Sequence, residues 1–207
     1  MSQYFEIHPD NPQARLIQRA VEILRSGGVV VYPTDSSYAL GCLVGEKAPM
    51  ERIRRIRRLD DKHNLTLVCR DLSEIAIYAK VDNTAYRLLK AHTPGPYTFI
   101  FKATHEVPRR LQHPKRKTIG IRVPENTVAL ALLEALGEPL ASTTLILPGD
   151  DLPMVDPEDM RDRLQHDVDL IIDGGGCGVE PTTVVDMSEA APVVQRRGRG
   201  DPAPFEE

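Results

Sequence analysis

Short apolar segments of strand length alternate along this chain with longer segments of helical period. This alternation constrains the fold more than any other feature. Residues 29–32 (VVVY) form an apolar run between glycine and proline, and residues 16–24 repeat apolar side chains at helical spacing. Roughly eight strands and six helices are predicted in this way. Their interleaving predicts the class α/β, with a twisted, open, mixed sheet and helices packed around it.

Local capping signals predict where several helices begin. Asn11 before Pro12 is typical of an N-cap followed by proline at the first helical position. Asp71 followed by Glu74 has the spacing of a capping box, and Asp156 before Pro157 predicts a further helix. Residues 126–137 (NTVALALLEALG) predict a helix capped at Asn126 that ends at Gly137. Strands are predicted at 65–69, 97–103, 118–123, 140–146, 168–172, 183–187 and 192–196.

The 207 residues suit one domain, with a core from about residue 9 to residue 200. Residues 198–207 (GRGDPAPFEE) are polar and rich in proline and glycine, so we expect a loose tail there. Hydrophobic residues make up 41% and charged residues 27% of the chain, a balance that argues against disorder.

Composition also indicates a cellular setting. No apolar run is long enough to span a membrane, and the first residues lack a secretory signal. The three cysteines are far apart and form no CxxC pair. We therefore expect a cytoplasmic protein with reduced thiols, no membrane partner and no structural metal.

Positive charge is clustered although the formal net charge is -4. Residues 52–62 and 109–117 are rich in arginine and lysine, and a basic face can attract phosphates locally. Ordinary solvated faces remain an equally good interpretation. The RNA-binding candidates are Arg54, Arg55, Arg58, Lys62, Arg109, Arg110, Lys115, Arg116 and Lys117.

Three further segments carry polar chemistry. Residues 32–41 (YPTDSSYALG) place hydroxyls and a carboxylate directly after a strand, where α/β sheets bind ligands, although a self-satisfied Ser/Thr turn explains them too. The glycines of residues 173–178 could turn amides toward an anion or form a tight hairpin. In residues 118–124 (TIGIRVP), alternation puts Arg122 on one face with Thr118 and Gly120. That arginine either meets an anion or lies on a solvent-facing edge strand.

No nucleophile with an activating base and no pair of catalytic carboxylates stands out. With no Trp and only 5% aromatic residues, base stacking on a single strand is disfavoured. The residues alone therefore lead to an α/β domain that binds an anion.

Several segments, taken together, resemble the YrdC/YciO family, and the closeness of the match points to its YciO branch. They are PTDSSYAL, PGPYTFIF, TIGIRVP and DGG…EPTTVVD, with an Ala-Ser step at 141–142 and Arg-x-Gly at 196–198. The resemblance covers about residues 9–200. It implies an open sheet with a large concave basic surface.

The resemblance also implies roles for individual residues. It implies substrate contacts for Thr34, Ser36, Arg122 and Thr182, with Arg122 holding a carboxylate. It implies nucleotide contacts for Arg57, Thr118, Ser142, Thr144 and Arg196.

The chain departs from the synthases of that family at several positions. Arg57 and Leu59 stand where those enzymes have lysine and arginine, and Val68 stands where they have histidine. His63 replaces an asparagine and Asn64 a proline. A leucine cannot neutralise a triphosphate, so we expect weak turnover.

The resemblance implies two functions. The first is weak or altered threonylcarbamoyl-AMP synthase activity, which joins threonine, bicarbonate and ATP, releases pyrophosphate and supplies the t6A modification of tRNA. ATP with Mg2+ would then be substrate and ion. The second is a non-catalytic protein that binds double-stranded RNA or tRNA or associates with ribosomes; no DNA partner is expected.

Overall fold

A computed structural model of the chain describes residues 1–60 and 63–206. These residues form ten strands and six α-helices. The strands are β1 (Gln3–Glu6), β2 (Val30–Tyr32), β3 (Ala39–Leu43), β4 (Thr66–Val68), β5 (Tyr97–Lys102), β6 (Thr118–Arg122), β7 (Leu140–Thr144), β8 (Leu170–Asp173), β9 (Thr183–Asp186) and β10 (Val193–Arg196). The helices are α1 (Ala14–Arg25), α2 (Lys47–Arg57), α3 (Leu72–Tyr78), α4 (Asn83–His92), α5 (Thr127–Leu136) and α6 (Pro157–Leu164).

All ten strands belong to one sheet, in the order β1-β8-β2-β3-β7-β4-β6-β5-β9-β10. The sheet contains both parallel pairs, such as β4 with β6, and antiparallel pairs, such as β4 with β7. The predicted α/β class and mixed open sheet are therefore confirmed. None of the helices formed by the described residues is long and apolar enough to cross a membrane.

The two faces of the sheet are covered unequally. On one face, α2, α3, α4 and α6 contribute buried residues to a large core that includes Ile53, Ile75 and Leu89. On the other face, only α1 and α5 pack on the sheet, through residues such as Leu24 and Leu132. Because these two helices cover the strands near β2 and β8, part of this face stays open beside them.

Capping signals predict three of the helix starts correctly. The side chain of Asp71 accepts a hydrogen bond from the Glu74 amide at 2.8 Å, as the capping box requires. Asp156 caps α6 with Pro157 in its first turn. Asn126 caps α5, which ends at Gly137 in the left-handed conformation.

The predicted start of α1 at Asn11 and Pro12 is wrong, because the helix begins at Ala14 after Gln13. The reason is a local turn. The His8 side chain accepts hydrogen bonds from the amides of Asp10 and Asn11, at 3.1 and 3.0 Å. These bonds hold the segment in a turn, so the helix starts later.

The loose tail expected at residues 198–207 is also wrong for the residues described, which end at 206. Phe205 is 2% exposed, and its ring packs against His92, Tyr97 and Phe99. The Thr183 hydroxyl donates to the Gly200 carbonyl at 2.5 Å. One aromatic residue therefore anchors a segment whose composition suggests disorder.

Candidate functional site

The open part of the sheet face forms a cleft of about 500 Å3. Its floor is made by side chains of β4, β5, β6, β7 and β9, and the segments after β2, α2, β7 and β8 form its walls. The lining includes Tyr32, Thr34, Ser36, Arg57, His63, Thr66, Val68, Thr98, Arg122, Ser142, Thr144, Asp151, Leu152, Val179, Thr182, Val184 and Arg196.

Arg122 lies at the carboxyl end of β6 and is buried in this lining. Its guanidinium forms an ion pair with Asp35 and donates to Ser36 Oγ at 3.2 Å and to the Gly95 carbonyl at 3.3 Å. Its Nε is the one buried side-chain nitrogen or oxygen without a hydrogen-bond partner among the described residues. The buried arginine therefore has an anionic partner, Asp35, and one donor left over.

The turn at residues 34–37 is partly a self-satisfied Ser/Thr turn and partly a source of polar groups for the cleft. Thr34 Oγ1 accepts from the amides of Ser36 and Ser37, each at 3.1 Å, and donates to the Ser37 carbonyl at 2.6 Å. Thr34 is therefore a turn-forming residue. Ser36 instead turns its hydroxyl toward Arg122, so the turn presents Ser36 to the cleft.

Arg57, at the end of α2, and Ser142, in β7, form a further part of the cleft lining. Arg57 donates through Nε to the Ile146 carbonyl at 3.0 Å and through Nη1 to Thr143 Oγ1 at 2.6 Å, and burial lowers its pKa. Ser142 donates to the Leu40 carbonyl at 2.8 Å and lies 2.6 Å from the Tyr32 hydroxyl. Burial raises the pKa of Tyr32 to about 12, so this phenol stays protonated and donates to Ser142.

Thr182 and Arg196 form a second polar group at the β9 side. Arg196 donates through Nε and Nη2 to the Thr182 carbonyl, at 3.0 and 2.9 Å, and through Nη2 to Thr182 Oγ1 at 3.0 Å. Thr182 Oγ1 also lies 2.8 Å from Thr98 Oγ1. The Arg-x-Gly pattern has a steric basis, because a Cβ at Gly198 would collide with the Pro181 carbonyl oxygen.

Of the nine residues for which the resemblance implies a substrate or nucleotide contact, eight line this one cleft. Thr118 does not. It shares the face of β6 that carries Arg122, as alternation predicts, but it is buried opposite Lys102.

The structure also shows where the residues that differ from the synthase pattern lie. Leu59 packs against the core on the other face of the sheet, and it is not part of the cleft lining. Val68 lines the cleft with an apolar side chain. His63 lines it as well, and burial, followed by the charges of Arg57 and Arg54, lowers the pKa of its imidazole.

The glycine-rich segment after β8 does not form the tight hairpin that was one of its two predicted forms. It is no hairpin, because β8 pairs with β1 and β2 whereas β9 pairs with β5 and β10. The amides of Gly174 and Gly175 bond to the Tyr38 hydroxyl and the Asp173 carboxylate, at 3.3 and 3.1 Å. The segment is a crossover that carries Val179 and Thr182 into the cleft lining.

The RNA-binding candidates lie elsewhere, and none of the eight in the described ranges lines the cleft. Arg54 donates to the carbonyls of Asp60 and His63, and Arg110 donates to the Gly45 carbonyl at 3.1 Å. Arg116 lies 3.8 Å from Asp186. Arg55 and Arg58 line a separate groove, Arg109, Lys115 and Lys117 are exposed in the segment before β6, and Lys62 lies outside the described residues.

The sequence reasoning missed several lining residues, among them Thr66, Thr98, Asp151 and Leu152. A signal existed for the first two. Both are hydroxyl residues inside apolar strands, at positions whose side chains share the open face with Gly120. Asp151 and Leu152 belong to the loop after β7, for which the local sequence carries no comparable pattern.

The charges of the cleft favour an anion. Three arginines line it, and Asp151 is the one carboxylate among the described lining residues. In the ranges 1–60 and 63–206, no group of three His, Cys, Asp or Glu side chains could hold a metal ion. One carboxylate fits a Mg2+ ion that arrives on substrate phosphates, since that ion usually binds through one or two carboxylates plus phosphate oxygens.

Fold and site together define a class of protein: an α/β domain with a cationic cleft on the open part of a mixed sheet. The family described as "Telomere recombination", the Sua5/YciO/YrdC family, matches residues 22–198. The chain belongs to this family, as the sequence resemblance predicts.

Relatives agree with this assignment. YciO of Escherichia coli strain K12 is 63% identical over 205 residues, which cover 99% of this chain and all of that protein. The crystal structure of E. coli YciO superimposes with a TM-score of 0.95 over 99% of this chain and 100% of that one. The threonylcarbamoyl-AMP synthase of Chromobacterium violaceum is 36% identical over 137 residues, 66% of this chain and 70% of that protein. The chain is thus similar to YciO and, more distantly, to threonylcarbamoyl-AMP synthases.

Proposed function

We propose that the cleft binds a nucleotide together with the carboxylate of an amino acid, and that the protein has weak threonylcarbamoyl-AMP synthase-type activity. In that reaction the carbamate formed from threonine and bicarbonate attacks the α-phosphate of ATP, and pyrophosphate leaves. The relationship to threonylcarbamoyl-AMP synthases supports the substrate class. The product would serve the t6A modification of tRNA.

One observation carries the proposal: three guanidinium groups line the same cleft, each fixed by protein oxygens and each with a donor to spare. Within the described residues, Arg57 has Nη2 unpartnered, Arg196 has Nη1, and Arg122 has Nε, a buried nitrogen that a ligand reaches only if the side chain shifts. Arginines held in this way lose little freedom when they meet carboxylates or phosphates. A ligand with two separated anionic groups, such as an amino acid and a nucleotide, would match this layout.

The proposed chemistry needs positioning and charge neutralisation, without a protein nucleophile. Arg122 and Ser36 would hold the amino acid, with Thr182 near it. Ser142 and Thr144 would contact the nucleotide, and Arg57 and Arg196 would face its phosphates. Mg2+ carried on ATP would share the charge, with Asp151 the available carboxylate ligand.

Turnover should be low because the departures remove polar donors from the cleft. Leu59 packs against the core, so this position supplies no cation to the cleft where the synthases carry an arginine. Val68 cannot donate a hydrogen bond to a threonine hydroxyl. Loss of one donor to a reacting phosphoryl group costs ~100-fold or more in rate.

The test is ATP-dependent release of pyrophosphate with threonine and bicarbonate, measured beside a threonylcarbamoyl-AMP synthase of the family. We expect release that requires all three substrates, at a rate at least ~100-fold lower. Arg122→Gln should abolish it, whereas the matched Arg109→Gln, outside the cleft, should not. Release as fast as the synthase would disprove weak activity, and no release above the Arg122→Gln background would disprove the enzyme.

Binding of double-stranded RNA is the second candidate function. It is favoured by exposed cations whose side chains have no ion pair or hydrogen bond within the described residues, namely Arg55, Arg58, Arg109 and Lys115. A duplex suits them better than a single strand, since A-form RNA is recognised through backbone phosphates and shape. The few aromatic residues offer little for base stacking.

A titration with duplex RNA at several salt concentrations tests this second candidate, with a single strand of the same sequence as control. Affinity should fall log-linearly with salt as counterions are released. Replacing the four cations by glutamine should flatten the slope by roughly one unit for each phosphate that the variant no longer binds. An unchanged slope in the fourfold variant would show that these cations are solvated faces.

A further inference from the structure

A second cavity lies on the outer side of α2, between this helix and α6. It is an open groove of about 690 Å3. We call it the outer groove; its described lining is Arg52, Arg55, Ile56, Arg58, Leu147, Pro148, Arg163, Leu164, His166 and Asp167. No described residue lines both this groove and the cleft. The arginine-rich helix therefore serves two sites, with Arg57 on the cleft side and Arg55 and Arg58 on the other.

Four arginines line the outer groove, but two of them are already neutralised. Arg52 Nη1 lies 2.7 Å from Asp169, and Arg163 Nη1 lies 2.9 Å from Asp150. Arg55 and Arg58 are exposed, and their side chains have no ion pair or hydrogen bond in the described part of the chain. Asp167 is the one carboxylate among the described lining residues. The two unpaired arginines outnumber it, so the groove carries a net positive charge.

Arg58 also adopts an unfavourable backbone conformation. It is the C-cap of α2 and is left-handed, with φ 53° and ψ 44°, a conformation that costs a non-glycine residue roughly 1–2 kcal/mol. Glycine or asparagine usually occupies such a position. Attraction between a cation and the helix C-terminus favours arginine in this turn, but it does not explain why the Arg58 side chain shares the lining of the outer groove with Arg163 and His166.

Apart from His166, the remaining described lining is apolar and consists of Ile56, Leu147, Pro148 and Leu164. A groove with forked cationic donors beside an apolar wall suits a ligand that joins phosphates to a flat, less polar part. Nucleotides and the backbone of RNA with its bases share this chemistry. Small oligophosphates present the anionic part alone.

We propose that the outer groove is a second binding site, in which Arg55 and Arg58 hold phosphoryl groups of a free phosphate-bearing molecule or of an RNA backbone. The site does not depend on turnover in the cleft, since the two linings are separate. Asp167 weakens it through its negative charge, and Arg163 and His166 complete its rim.

Amide NMR spectra of the 15N-labelled protein test the proposal, because they show which cavity a probe occupies. Pyrophosphate and a short RNA duplex are titrated separately into the wild type. We expect the amides of Arg55, Arg58 and Leu164 to shift, whether or not those of Ser36 and Arg122 in the cleft shift as well. Arg55→Gln with Arg58→Gln should weaken the groove response at least about tenfold, whereas the cleft amides should respond as before.

Arg15→Gln with Arg87→Gln is the matched control, since it removes the same charge from exposed residues of α1 and α4 that line neither the cleft nor the outer groove and are not among the RNA-binding candidates. It should leave the groove response unchanged, and Asp167→Asn should strengthen it a few-fold. A groove response to pyrophosphate alone identifies free phosphates as the source, and a response to the duplex identifies the RNA backbone. Shifts confined to the cleft, or a groove affinity that the Arg55/Arg58 variant retains, would overturn the proposal without touching the proposed activity.

Discussion

Arg122 connects two parts of the cleft as well as facing it. Its ion pair with Asp35 joins β6 to the turn after β2, and Asp35 also accepts from the Glu125 amide at 2.8 Å. Both side chains of the pair are nearly buried, at 7% and 9% exposed. Removing one member of such a pair leaves the other charge buried without its partner.

We therefore predict that Arg122→Ala lowers the free energy of unfolding by about 3 kcal/mol or more. Arg122→Ala with Asp35→Ala should recover part of this loss, because the unpaired carboxylate is gone. Urea unfolding of the wild type, Arg122→Ala, Asp35→Ala and the double variant measures the difference. If the double variant is as unstable as the sum of both single variants, the pair is not coupled and the interpretation fails.

We expect His63 to make anion binding in the cleft depend on pH. Burial and the neighbouring arginines lower the pKa of this imidazole in the folded protein, so it is neutral at pH 7. An anion in the cleft favours its protonated form. Affinity for sulfate, whose charge is constant in this range, should therefore rise as the pH falls below about 6.5, the ordinary histidine pKa.

The lowered pKa of His63 also affects stability, but in the opposite direction: the free energy of unfolding should decrease as the pH falls. Because the unfolded chain binds the proton more readily, the contribution of His63 to stability is present above its unfolded pKa and is lost as the pH falls. His63→Gln should remove both effects. Calorimetric sulfate titrations at several pH values provide the check, and an identical pH profile in the variant would assign the effect to another group.

At the scale of elements, the C-terminal segment is anchored to the core by Phe205, whose ring packs against Tyr97 and Phe99 of β5. Phe205→Ala should cost about 3–5 kcal/mol, the range for deleting a buried aromatic side chain. Phe205→Leu, which keeps much of the volume, should cost clearly less. Denaturant midpoints measure both, and an alanine variant as stable as the wild type would mean that the segment is dispensable.

Elements with strong local signals could be predicted from the sequence. The Asp71, Asn126 and Asp156 caps bond as predicted, because a cap depends on residues only two or three positions apart. Strand β3 was missed, since its five buried residues include a glycine and follow a polar turn. A Cβ at Gly41 would lie 2.8 Å from the Tyr32 ring, so the residue type is set by a neighbouring strand that local patterns do not report.

The site residues also divide into those with a local sequence signal and those without one. The hydroxyl turn and Arg122 could be proposed from local sequence, and resemblance supplied Ser142, Thr182 and Arg196. The ion pair between Asp35 and Arg122 joins distant parts of the chain, so the sequence left the partner of this arginine open. The distribution of the arginines of α2 between two cavities depends on where α6 packs, which periodicity alone does not report.

At the scale of the molecule, unequal covering of the sheet produces the cleft. Four helices cover one face, and two cover part of the other. Polar side chains of strands from the middle of the sheet to β9 can therefore meet in one open site without breaking the core. The net charge does not reveal this arrangement, since the chain is acidic overall while the cleft and the outer groove are each lined by arginines.

The pairing of β1 with β8 has a consequence for how the molecule assembles. Gln3 lies opposite Leu170, so β1 can pair only with a strand that is more than 150 residues later in the chain. Contacts between such distant residues require a long loop to close, and they slow folding. In pulsed hydrogen exchange during refolding, the amides of β1 should gain protection after those of β5 and β6, which are neighbours in sequence. Simultaneous protection would contradict this order. The start of the chain is thus among the last parts to reach its native place.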